Sequence, residues 1–99
     1  MKASEILKAG LERLGPNGEH WAGGGQKNND IYCECMTTVL NNVGEDELEA
    51  LDVFKRIFST DRLAPIWAWN DNPKRKFPEV KAKFLEAIAL AENQEAANA

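Results

Sequence analysis

The stretch GPNGEHWAGGGQKNND, residues 15–30, leaves no room for a helix. Glycine stands at 15, 18, 23, 24 and 25, and each one in a helix interior costs about 1 kcal/mol relative to alanine. A chain of 99 residues interrupted in this way must build its core from the segments on either side. Before the break, Ile6, Leu7, Leu11 and Leu14 recur at spacings of three and four. Ser4 is placed to cap that helix and Gly15-Pro16 to end it. After the break, Asn29 or Asp30 is positioned to cap a second helix with Tyr32, Met36, Val39, Leu40 and Val43 on one face and Gly44 closing it.

Asp46 and Glu49 resemble a capping box at the start of a third helix. That helix buries Leu48, Leu51, Phe54, Ile57 and Phe58 and stops near Ser59-Thr60. The last begins at Phe77-Pro78, since proline is acceptable in a first turn, and carries Val80, Phe84, Leu85, Ile88 and Ala91. Residues 61–76 read as irregular or extended, and residues 19–22 have room to pair with residues near 26–28 in a tight hairpin. The pattern predicts a mainly α fold: a compact bundle of about four helices with a Gly-rich loop or short β-hairpin and an extended aromatic connection. Residues 1–92 make one globular domain, and the Ala-rich polar tail, 93–99, frays.

Charge and cysteine content narrow the function classes. Twelve basic against sixteen acidic residues give a net charge of −4, which weighs against nucleic acid as a partner and leaves protein as the expected one. No apolar run is long enough to span a membrane, and the first fourteen residues lack the apolar block of a signal peptide, so the expected location is the cytoplasm. Cys33 and Cys35, two apart on a helix, point about 200° from each other and make a poor disulfide. Two cysteines and one histidine do not complete a four-ligand zinc site, so no metal and no cofactor is assigned. Whether the chain forms a homo-oligomer is left open.

The candidate binding residues lie in the two non-helical segments. In an extended IWAWND, Trp67 and Trp69 share a face, either sealing the core or offering an aromatic wall to a partner. Asn70 and Asp71, ahead of Pro73, suit a cap or an Asx-turn. Lys74-Arg75-Lys76 forms the basic cluster; neutralising three phosphates gives a salt slope of only about −2 to −3. His20 and Trp21 precede three glycines, with neither phosphate-binding fingerprint around them. His20 is the one histidine and has no nucleophile at a recognisable spacing. No catalytic residue is assigned, and the binding surface joins His20, Trp21, Trp67, Trp69, Lys74 and Arg75.

Trp69-Asn70-Asp71, then Arg75, then Glu79-Val80, form a block that resembles a family of small bacterial and phage domains of unknown function. The similarity takes in the first helix from Ile6 to Leu14, the Gly-Trp-rich loop from Trp21 to Gly25 and the Cys-containing segment from Tyr32 to Leu40. Departures are Lys76, where the family places Thr or Ser before the last helix, and CECMTTVL, where it has an Ala- and Gly-richer run. The resemblance implies a shared fold and a phage or mobile-element origin, and transfers no activity. The expectation is a small non-enzymatic phage-type accessory protein that binds a host or phage macromolecule through aromatic and basic loop residues. The alternative is a binder of a nucleotide or signalling molecule between the glycine loop and Trp69, with Lys74 or Arg75 on phosphate.

Overall fold

Amphipathic periodicity and tertiary packing together give five helices among the described residues, 1–24, 34–44 and 47–98, of the computed structural model. These are α1 (Ala3–Leu14), α2 (Thr38–Asn41), α3 (Glu47–Ile57), α4 (Ala64–Asp71) and α5 (Phe77–Ala97). The core is where α1, α3 and α5 meet. Ile6, Leu7 and Leu14 from α1, Ala50 and Phe54 from α3, and Val80, Phe84 and Ala87 from α5 are fully buried there. Phe54 and Phe84 meet edge to face with centroids 5.0 Å apart. Each such side chain withdrawn from water contributes about 1.5–3 kcal/mol. Gly10 lets α2 approach α1, since a Cβ there would stand 2.9 Å from Leu40 Cδ2.

The start of α1 differs from the pattern. α1 starts at Ala3, with Glu5 Oε1 accepting from the Lys2 N–H at 3.0 Å. Ser4 therefore lies inside the first turn and does not cap it; its hydroxyl bonds the Glu95 carboxylate at 2.7 Å instead. α5 runs on to Ala97, with the Glu95 carboxylate accepting from the Ser4 hydroxyl. Leu48 and Leu85, expected inside, are 71% and 52% exposed.

The second helix is much shorter than its apolar periodicity predicts. Glu34 is spent on a parallel bridge to Trp21: its N–H donates to the His20 carbonyl at 2.8 Å and its own carbonyl accepts from Ala22 at 2.9 Å. Residues 34–37 are consequently non-helical, and only Thr38–Asn41 wind. The cap at Asn29 or Asp30, Tyr32, the hairpin partner near 26–28 and Asp46 lie outside the described residues.

The extended aromatic connection is also corrected. Residues 64–71 of that segment are the helix α4, with Pro65 in its first turn and the Leu63 carbonyl accepting from Ile66 and Trp67 at 2.9 and 3.0 Å. Its buried positions are Ile66 and Asn70, four residues apart and so on one face. Because one of those two is polar, hydrophobic periodicity alone does not reveal the helix.

Candidate functional site

α4 delivers the Asn70 amide into the interior, where its bonding capacity is fully used. The side-chain oxygen accepts from Trp21 Nε1 at 2.9 Å and from the Met36 N–H at 3.3 Å. The side-chain nitrogen donates to the Ala22 carbonyl and to Asp71 Oδ1, both at 3.0 Å. Two acceptor sites and two donor hydrogens are all that an asparagine side chain has. The Asn70 carbonyl also accepts from Gly24 N–H at 2.8 Å. Gly23 makes this approach feasible, for a Cβ there would lie 2.5 Å from Asn70 Nδ2 and 2.6 Å from Trp21 Cζ2. Trp21 is 1% exposed and packs on Phe77 at 6.0 Å. Asn70 and Trp21 thus fasten the described part of the glycine-rich segment to the end of α4.

Arg75 closes the same latch from outside. Its guanidinium carbon stands 3.8 Å from the Trp69 ring centroid. Nε donates to the Trp69 carbonyl at 2.9 Å, and the guanidinium pairs with Glu79 at 2.6 Å. The far side of Trp69 meets Phe58 edge-on at 5.2 Å. Asn72, one residue past the helix, builds the turn: its side-chain oxygen accepts from Lys74 N–H at 2.9 Å and its carbonyl from Arg75 N–H at 2.8 Å. Trp69, Asn70, Asp71, Arg75 and Glu79 are therefore one connected structural unit.

The six expected binding residues consequently separate. Trp21 is interior, Trp69 is half-buried beneath Arg75, and Arg75 is committed to Glu79 and the Trp69 carbonyl. A nucleotide stacked on Trp69 would have to displace that guanidinium. Lys74 and His20 are exposed. His20 neighbours Glu19, whose carboxyl is held below the usual range chiefly by its own backbone N–H and then by that of Asn17, with the imidazole adding less. A groove of about 420 Å³ between Asn17, Pro73, Lys76 and Pro78 lies over the buried Trp21 and Phe77.

Trp67 does not share a face with Trp69, because two positions apart on α4 they are turned about 200° from each other. The residue is 48% exposed. Its indole N–H is nonetheless fixed, donating to Thr37 Oγ1 at 2.9 Å. A groove of about 290 Å³ opens beside it, lined by Cys35, Thr37, Thr38, Asn41, Leu51 and Leu63. None of these carries a formal charge. The Cys35 thiol is engaged at 3.0 Å with the Thr38 hydroxyl and at 3.4 Å with that of Thr37.

Two residues of this region escaped sequence reasoning. Thr37 positions the exposed indole. Buried Glu34, bonded to Arg13 and Asn42, holds the segment ahead of α2 in place. Neither bears a local signal, since each is defined by partners distant in the chain. Among the described residues no cluster of three His, Cys, Asp or Glu is placed to hold a metal ion, and no helix is long and apolar enough to cross a membrane. No family model, curated protein or solved structure matches the chain.

Proposed function

We propose that the chain is a small non-enzymatic accessory protein, of the bacterial and phage kind it resembles, that binds a protein partner in the cytoplasm through the Trp67 face. One observation carries this: Trp67 is about half exposed while Thr37 accepts from its indole N–H. Ordering a rotamer-rich side chain on binding costs about 0.5–1.5 kcal/mol, and an indole already fixed has little of that left to lose. Tryptophan is also among the residues most often found at the energetic centre of an interface.

The groove beside it favours a protein partner. A polyanion gains from cations, and among the described residues none lines this groove. An apolar or neutral polar side chain from another protein fits better against Leu51, Leu63 and the threonines. The nucleotide alternative loses its footing, because Arg75 already occupies the Trp69 face it required. Of the basic contribution expected from sequence, Arg75 is taken up by Trp69 and Glu79, while Lys74 stays exposed.

Capture from nuclease-treated bacterial lysate tests this reading, using wild type, Trp67→Ala and Lys74→Glu as baits. A specific protein should be retained by wild type and Lys74→Glu and lost, by tenfold or more, with Trp67→Ala. Equal recovery by all three baits would remove Trp67 from the surface. A thermal shift on adding nucleotides would instead revive the small-ligand alternative.

A further inference from the structure

A second surface, sharing no residue with the Trp67 groove, lies where α1 meets α5. Leu85, 52% exposed, stands in a groove of about 410 Å³ with Leu11, Pro16 and Ile88, which also takes in the charged Lys8, Glu12 and Lys81. Along α5 the exposed positions Ala82, Leu85, Ala89 and Glu92 follow the spacing of three and four that puts residues on one helix surface. That surface therefore presents, in order, Lys81, a leucine flanked by two alanines, and Glu92.

We propose that this face pairs with a second copy of the chain, two α5 helices crossing antiparallel about a two-fold axis between Leu85 and Ala89. The sequence order is what commits the face to itself. In an isologous contact each surface meets its own image, so it must be self-complementary. Running antiparallel, Lys81 of each copy comes to the partner's Glu92, and Leu85 enters the partner's groove. Glu92 touches Lys8 at 3.4 Å in its own chain, and both groups are more than half exposed, so its carboxylate has room for a second cation. The small Ala82 and Ala89 let the two helices approach toward the close end of the usual 8–10 Å range.

Electrostatics points the same way. Two chains of net charge −4 repel on approach. Around this groove, though, Lys8 and Lys81 balance Glu12 and Glu92, so the local apposition carries no net like-charge cost.

Sedimentation equilibrium on the full chain, run from micromolar to millimolar concentration, tests the proposal. The average mass should rise from the 11.0 kDa of one chain towards twice that value. Leu85→Asp, at an exposed helical position, should raise the dissociation constant at least tenfold with an unchanged far-ultraviolet circular dichroism spectrum. Lys81→Glu should weaken the dimer several-fold, and Lys81→Glu combined with Glu92→Lys should restore it. A chain that stays monomeric throughout overturns the proposal and leaves the groove to another protein. A dimer indifferent to Leu85→Asp, or lost only with Trp67→Ala, overturns it by locating the contact elsewhere. Neither result bears on whether Trp67 captures a partner.

Discussion

Two turns of the same short helix have been put to opposite uses. In the C-terminal turn of α4, Asn70 satisfies every polar group it meets and Arg75 covers Trp69, so nothing is left to offer outside. In the N-terminal turn, the Trp67 indole donates to Thr37 while about half of the residue stays open to water. The pairing of the two teaches that neighbouring tryptophans are distinguished by helical phase. The polar hub at Asn70 fixes the C-terminal turn of α4, while Thr37 fixes the indole of Trp67 one turn earlier.

The comparison is broken most severely at Asn70. Asn70→Ala leaves the Trp21 N–H, the Met36 N–H and the Ala22 carbonyl buried without that partner, and each orphaned group costs about 1–3 kcal/mol. A loss of about 3–5 kcal/mol in urea denaturation is expected. For a domain of this length each kcal/mol moves Tm by about 4–8 °C. Gly23→Ala attacks the same hub sterically, pushing a methyl against Asn70 and Trp21 and costing about 2–3 kcal/mol. A Gly23→Ala protein as stable as wild type would show that the close approach is not required.

Arg75→Lys is the intermediate case. An ammonium keeps the charge near Glu79 but cannot at once lie flat on the indole and donate from a fork to the Trp69 carbonyl. The expected loss is about 1–2 kcal/mol, read by chemical denaturation. Trp67→Phe should have the smallest effect, below about 1 kcal/mol, since it removes one hydrogen bond from a half-exposed ring. If Trp67→Phe destabilised as much as Asn70→Ala, the division between the two turns would be wrong.

Acid titration sharpens the picture at a distant point. The Ser4 hydroxyl is the main reason that the Glu95 carboxyl lies below its usual range; the nearby Lys2 and Lys8 add to the lowering, and burial opposes it. A depressed folded-state value means that its contribution is present above the ordinary glutamate range and fades as pH falls through the lowered value. The stability difference between wild type and Ser4→Ala should therefore shrink in acid, a small effect measured by urea midpoints across pH.

How far the sequence speaks can be judged helix by helix. α1, α3 and α5 are legible because their buried faces are apolar at a regular spacing and their stops are glycine, proline or a polar pair. Leu48 and Leu85 mislead, since apolar periodicity predicts a buried face one or two residues wider than the neighbours actually cover. α4 is invisible to that logic: half of its buried face is an asparagine whose partners are Trp21, Ala22 and Met36. The segment before α2 fails for a related reason, as the Glu34 bridge to Trp21 overrides a helical pattern that is locally sound. Within the site, the sequence reads Asn70 and Asp71 as a cap or Asx-turn; in the fold Asn70 is a buried residue of α4, and Asn72 makes the turn. The grouping of Trp21, Trp69 and Arg75 on a binding surface was not legible, because an arginine sealing an aromatic ring leaves the same residues in the sequence as one awaiting a ligand.

The clasp between Ser4 and Glu95 has a mechanical consequence. Because α1 and α5 run antiparallel with these residues near the chain's two ends, a tether pulled from both termini loads that pair first. The helices would then peel apart contact by contact, the compliant geometry, rather than resist in shear with all contacts loaded together. Handles attached at mid-helix positions should meet a much stiffer molecule than handles at the ends.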